Sequence, residues 1–285
     1  MPRKQDEQLP EAARERLRAM RGQDGEEALF TSDLSVNEFL LLQETNFAPA
    51  AMVVGTSIYH IGVQQQRQNQ NEEMVVLSEA LYHARELAMR RMVAEAHELG
   101  ADGIIGVRIK VKHLEWNPDL AEFIALGTAV YYQDSHFDWR VHGKPFTSDL
   151  SGQDFWTLLH SGHRPVGMVM GNCVYHVAHQ TAGQWFKTVG QNVEMTNFTE
   201  ALYEARELAM ERMQNDAEKL GASGIVGVDI HEGNYAWSPH IIEFFTVGTA
   251  IAPMDANHKI PEPHLVLSSN DEMRTSKIKA VEEDY

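Results

Sequence analysis

The chain has 285 residues, of which 43% are apolar and 23% charged, and a formal net charge of −17 from 24 basic and 41 acidic side chains. That charge excludes a general nucleic-acid binder, which needs a basic face to displace counterions, and disfavours docking on anionic membranes. A single cysteine, Cys173, excludes an internal disulfide, and with neither an apolar signal core after Met1-Pro2-Arg3-Lys4 nor a membrane-length apolar run the protein is expected to be cytoplasmic.

The elements are read as two copies of one pattern. Phe30-Thr31-Ser32-Asp33-Leu34-Ser35 returns as Phe146-Thr147-Ser148-Asp149-Leu150-Ser151, an offset of 116 residues, and Glu79-Ala80-Leu81-Tyr82 returns as Glu200-Ala201-Leu202-Tyr203, an offset of 121. Between Glu79 and Ile109, 21 of 31 positions match the residue 121 further on, which marks an internal duplication. The division is residues 1–27 (N-terminal helical extension), 28–133 (repeat 1), 134–143 (linker), 144–252 (repeat 2) and 253–285 (mobile charged tail). In the extension, Leu9, Ala13, Leu17 and Met20 fall at helical spacing, so Pro10 to Met20 reads as a helix. In each repeat a short helix follows Ser35 or Ser151. Ser35-Val36-Asn37-Glu38 is a capping box and Ser151-Gly152-Gln153-Asp154 a weaker one. Pro49 and Pro165 end the next connection, and strands are expected at Met52 to Ile61 and Met168 to Val177. A long helix follows, with Leu77, Leu81, Ala84, Ala88, Met92, Ala96 and Leu99 on one face, stopped by Gly100 in repeat 1 and Gly221 in repeat 2. Ile105, Val107, Ile109 and Val111 alternate along the next strand, as do Val226, Val228 and Ile230. A turn containing Trp116 and Pro118, or Trp237 and Pro239, leads to a last strand, Glu122 to Tyr131 or Glu243 to Ile251. In the tail, Leu265-Val266-Leu267 is the one piece suited to a sheet edge. The class is therefore α+β. One helix covers one sheet face, so the other face needs cover from another subunit.

Glu200-Ala201-Leu202-Tyr203-Glu204-Ala205-Arg206-Glu207-Leu208-Ala209, Leu220-Gly221-Ala222-Ser223-Gly224-Ile225-Val226-Gly227-Val228 and Val247-Gly248-Thr249-Ala250-Ile251 resemble the YbjQ-like (UPF0145) family, which carries a heavy-metal-binding label. The resemblance covers both repeats. It implies two tandem dodecin-like β-α-β-β domains, a subunit that assembles as a pentameric ring, and metal binding, with no catalytic motif; the cofactor stays open, a divalent transition metal being the candidate. Five such chains would form two stacked rings, the favoured arrangement; the alternative is an even-numbered ring in which the two repeats alternate.

Candidate chemistry is sparse. His60 and His176 end equivalent strands, and imidazole suits Zn, Cu or Ni. Cys173, His176 and His179 have metal-like spacing, but residues three apart on a strand face opposite ways. Gly103-Ile104-Ile105-Gly106 and Gly224-Ile225-Val226-Gly227 follow a helix instead of opening one, so they read as close backbone packing and not as a phosphate loop. Trp116 and Trp237 are candidates for stacking a planar ligand. Glu79, Arg85 and Glu86 recur as Glu200, Arg206 and Glu207, as either a solvated face or a contact between subunits. Asp33 and Asp149 are expected to cap a turn. The resulting reading is a noncatalytic, ring-forming binding or scaffold protein, self-associating, with a transition metal and a protein partner for the tail as further candidates. Its alternatives are a planar-ligand binder with interface pockets and an unrecognised enzyme.

Overall fold

A computed structural model describes residues 9–20, 30–60, 70–114, 117–134, 137–178, 196–234 and 240–254. A helix, α1 (Glu11–Met20), precedes the repeats. Repeat 1 comprises α2 (Val36–Glu44), β1 (Phe47–His60), β2 (Glu72–Glu73), α3 (Val75–Leu99), β3 (Gly103–Leu114) and β4 (Asn117–Tyr132). Repeat 2 comprises β5 (Phe146–Thr147), α4 (Gly152–His160), β6 (His163–His176), α5 (Thr196–Lys219), β7 (Gly224–Asn234) and β8 (Ile241–Pro253). The fold is α+β, as the alternating sequence pattern implies.

Local chemistry places the elements. Ser35 accepts from the Glu38 amide while the Glu38 carboxylate accepts from the Ser35 amide, so the capping box forms as read. Ser151 caps α4 through the Asp154 amide. Gly100 and Gly221 follow the two long helices at φ 81° and 68°, which a side chain would resist. Within each repeat the middle strand is the last one: β1 and β3 flank β4, and β6 and β7 flank β8, all antiparallel. The helix lies close on this sheet through alanines. A Cβ at Gly55 would come within 2.0 Å of the Ala88 carbonyl oxygen, and one at Gly171 within 1.8 Å of that of Ala209.

Three expectations need correction. Pro49 and Pro165 do not precede their strands but lie inside them, beside register shifts, where among the described residues each strand has no partner on its other side. Gly106 and Gly227 are not packing glycines: they sit at φ 62° and 65° where the ladder slips, which makes them bulges. The bulge puts Ile104 and Val107 in the same core around α3, while Ile105 is buried on the other face in the aromatic core; further along the strand Val111 is exposed. Phe137 and Trp139 of the expected linker pack with Phe47, Phe146 and Phe155 in an aromatic core.

The two repeats interlock. β2, from repeat 1, pairs with the end of β6 in repeat 2 (Glu72 opposite His176, Glu73 opposite Tyr175). β5, from repeat 2, pairs in parallel with β3 in repeat 1 (Gly103 opposite Phe146). Each four-stranded sheet thus has three strands of its own repeat and one from the other: β1-β4-β3-β5 and β2-β6-β8-β7. Helix α3 packs on its own sheet through Ala84, Ala88 and Met92, and the same core takes in Met170, Val174, Phe245 and Val247 of repeat 2. The second sheet therefore finds cover for both faces inside one chain, α5 on one and α3 on the other. Leu9, just before α1, and Leu17 of α1 join that core, and Arg16 pairs with the buried Glu95 at 2.5 Å. No described helix is long and apolar enough to cross a membrane.

Candidate functional site

The expected metal donors do not converge. Cys173 packs with Tyr175 and Val177 toward α5, whereas Val174, one residue on, belongs to the core around α3. On a regular strand His176 shares the face of Val174, so Cys173 and His176 point opposite ways. Burial, with the nearby Glu73 carboxylate adding, pushes the Cys173 thiol up to about 12, far from a thiolate ligand. His176 is buried, with Nδ1 3.2 Å from the Gln70 carbonyl oxygen, while His60 is exposed. His179, Trp116, Trp237 and Leu265-Val266-Leu267 lie outside the described residues. Among the described residues no three His, Cys, Asp or Glu side chains are grouped to hold a metal ion. The described donors, Cys173, His60 and His176, do not by themselves form a site for the metal that the family label implies.

What the fold does bring together is the seam between the repeats. Arg85 of α3 is 3% exposed, and its Nη1 lies 2.7 Å from Oε1 of Glu243 on β8. The guanidinium stacks over Phe245, 4.3 Å from the ring centre, with Phe123 at 5.5 Å. Tyr82, one turn earlier, donates its hydroxyl to Asp216 of α5. Burial first, and then the Asp216 carboxylate, raise the Tyr82 hydroxyl well above its ordinary range, so it stays a donor. Glu73 of β2 takes Arg212 of α5 at 2.7 Å. The Ser78 hydroxyl accepts from the Val174 amide at 2.8 Å, and the Asn172 amide donates to the Ser78 carbonyl at 3.0 Å. Each of these ties joins repeat 1 to repeat 2. The other singled-out charges are peripheral. Glu86 pairs with Arg90 at 3.4 Å, and Glu79 borders a groove with Arg212. Glu200 and Glu207 are exposed, and Arg206 lies over Tyr203 and 3.3 Å from Glu207.

The repeated Phe-Thr-Ser-Asp-Leu-Ser motif clasps the sheet. The hydroxyls of Thr31 and Thr147 accept from the amides of Met52 and Met168. Ser32 and Asp33 hold the hydroxyl of Thr128, and Ser148 and Asp149 that of Thr249. Asp33 and Asp149 therefore grip the threonine of the Gly-Thr-Ala strand and are not turn caps. Burial raises the Asp149 carboxyl above its usual range despite the Thr249 hydrogen bond. A cleft of about 710 Å³ opens beside the seam, with Met89, Val93, Met168 and Leu220 among its apolar walls. Sequence reasoning singled out Arg85 but missed Glu243, Asp216 and Glu73. One signal was available: Glu243 also repeats, as Glu122, 121 residues earlier.

The comparisons with known proteins agree with the duplicated architecture. A family profile described as "Putative heavy-metal-binding" (YbjQ) matches residues 41–133 and again 161–253. The chain is 50% identical over 226 residues to the encapsulin nanocompartment protein Rv1762c of Mycobacterium tuberculosis, covering 79% of this chain and 86% of that protein. A UPF0145 protein of Pseudothermotoga lettingae is 39% identical over 88 residues, 30% of this chain and 79% of that one. A UPF0145 protein of Acinetobacter baylyi is 40% identical over 70 residues, 25% of this chain and 63% of that one. With a duplicated helix, bulged strand and clasped Gly-Thr-Ala strand, and with both halves matched, the chain belongs to the YbjQ (UPF0145) family and carries two tandem copies of its domain.

Proposed function

We propose that the protein is a noncatalytic assembly unit, a self-associating structural component of a protein nanocompartment system. The observation that carries this reading is the reciprocal exchange of β2 and β5, which ties the two repeats side by side through backbone pairing. Surfaces that exchange sheet edges within a chain are built for repetition between chains. The nanocompartment setting is supported by the name of the Mycobacterium tuberculosis relative. The side-by-side exchange also favours the alternating arrangement over the stacked rings that the resemblance suggests. Edge-to-edge pairing is the contact of neighbours in one ring, whereas stacked rings meet across their faces.

Native mass spectrometry of the untagged full chain, purified without chelators, tests this. Discrete multiples of the 32.2 kDa chain mass are expected at about 10 μM, an ordinary concentration for specific assemblies. A monomer at that concentration overturns the reading. Stoichiometric metal lost in the His60→Ala/His176→Ala double variant would return the metal function to consideration, against the placement of these side chains.

A further inference from the structure

We infer that the seam inside the chain is repeated between chains: the Phe30 segment of one copy docks on the β7 edge of another, so that copies join head to tail. The inference rests on the self-association proposed above and identifies the surfaces that perform it. Each sheet lacks on one side what the other sheet has. Among the described residues the first is closed at β3 by β5 and open at β1, and the second is closed at β6 by β2 and open at β7. The two open edges belong to the two ends of one repeating contact.

Equivalent residues show what each open surface accommodates. Phe146 is 1% exposed, with its ring against Gly103 of repeat 1, where a Cβ would lie 2.2 Å from ring atoms. Its counterpart Phe30 is 45% exposed. Phe30 is nonetheless already stacked on Phe39 (5.6 Å, 10°), as Phe146 is on Phe155 (5.9 Å, 14°), so its bound shape is preformed. Gly224 is the counterpart of Gly103, and a Cβ there would meet nothing nearer than Ile251 at 3.9 Å. Beside Gly224 runs a groove of about 430 Å³ lined by Met210, Met213, Ala222, Ile225 and Val228. Met213 is as buried as its counterpart Met92, but Met210, Ala222, Ile225 and Val228 are partly or fully exposed where their counterparts Met89, Ala101, Ile104 and Val107 are buried. On the opposite end, Ile58 of β1 is 61% exposed, whereas its counterpart Val174, beneath the β2 connection, is 0% exposed.

The charges agree. Arg85 of repeat 1 pairs with Glu243 of repeat 2 across the seam. The equivalent residues are Arg206 on α5 and Glu122 on β4, both half-buried, at the two open ends of the chain. In a head-to-tail contact Arg206 of one copy meets Glu122 of the next. Because the contact joins different surfaces, it propagates until the rotation closes a ring in which the two repeats alternate.

The test uses the full chain by native mass spectrometry and sedimentation. Phe30→Glu removes the inserted ring from an exposed position, and Gly224→Leu projects a side chain into its socket from a position where a Cβ has ordinary van der Waals room. Each is expected to weaken association by about 30-fold or more, as loss of a buried aromatic anchor does, and to leave monomers with wild-type circular dichroism and one cooperative melt. Mixed together, the two variants are expected to form a dimer and nothing larger. The Phe30→Glu chain keeps its socket, the Gly224→Leu chain keeps its phenylalanine, and only that one contact is intact. Arg206→Glu and Glu122→Arg should each weaken assembly, and the double variant should restore it. If the wild type assembles and these variants assemble equally well, the inference is overturned while the assembly function stands. If the wild type is itself monomeric, both fall.

Discussion

Arg85 and Glu243 form the most consequential side-chain pair in the described structure, because both are withdrawn from water and belong to different repeats. Removing one partner strands the other charge in the core. Arg85→Met or Glu243→Gln is expected to cost about 3–5 kcal/mol in urea unfolding. The Arg85→Met/Glu243→Leu double variant should cost clearly less than the two singles together, since it leaves no orphaned charge. Additive costs would mean that the pair is not coupled. Glu38 makes a pH prediction. Burial acts to raise its carboxyl, but hydrogen bonds from Ser35 and from the Gly152 amide of repeat 2 prevail and hold it below the ordinary 4.5. A depressed carboxyl stabilises the fold above its unfolded value, and that stabilisation is lost as pH falls through the folded value. Glu38→Gln is therefore expected to flatten the acid limb of stability measured between about pH 3 and 6, and to cost about 1 kcal/mol at neutral pH. An unchanged acid limb would contradict the assignment. At this scale the sequence was half legible. Arg85 was visible because it repeats, but its partner depends on how two sheets and a helix meet, which no local spacing encodes.

The elements were more legible than their junctions. Helix periodicity, capping serines and terminal glycines located α2, α3, α4 and α5 because those signals are local. An extended piece before Ser151 was legible, but β2 and the pairing of both two-residue strands were not, since each pairs only with the other repeat. The Gly-x-x-Gly motif was read as one role and has three: Gly106 and Gly227 make bulges, Gly103 receives Phe146, and Gly224 has no ring against it, its nearest described neighbour for a Cβ being Ile251 at 3.9 Å. This difference between two identical sequence positions is testable. Gly103→Ala places a Cβ within 2.2 Å of the Phe146 ring and is expected to cost about 1–3 kcal/mol by overpacking. Gly224→Ala has ordinary van der Waals room and should leave the chemical-denaturation midpoint of the isolated chain within about 0.5 kcal/mol of wild type. Equal effects at the two glycines would show that Phe146 does not occupy the Gly103 site. Gly171→Ala should be the most severe of the series, because its Cβ meets helix backbone, which cannot rotate away as a ring can.

For the whole molecule, the question is whether two repeats mean two folding units. A duplicated sequence with a short connection suggests tandem domains that melt separately. The described structure argues otherwise. One hydrophobic cluster contains β1, α3 and β4 residues of repeat 1 together with Met170, Val174, Phe245 and Val247 of repeat 2. A second joins Leu42, Phe47 and Ile105 to Trp139, Phe146 and Phe155. Unfolding repeat 2 would expose the outward face of α3, the Arg85 charge and the β3 edge at once. Unfolding repeat 1 would uncover one face of the second sheet and remove β2 from β6. Neither half can open without destroying the cores it shares, so the halves should unfold as one cooperative unit. Calorimetry of the Phe30→Glu chain, which isolates the single chain from assembly, is expected to give one transition with calorimetric and van't Hoff enthalpies that agree. Tryptophan fluorescence and circular dichroism should follow the same curve. Two resolved transitions would show that the seam is a weak contact between independent domains. The repeated surfaces would then lack the stability needed to carry an assembly from chain to chain.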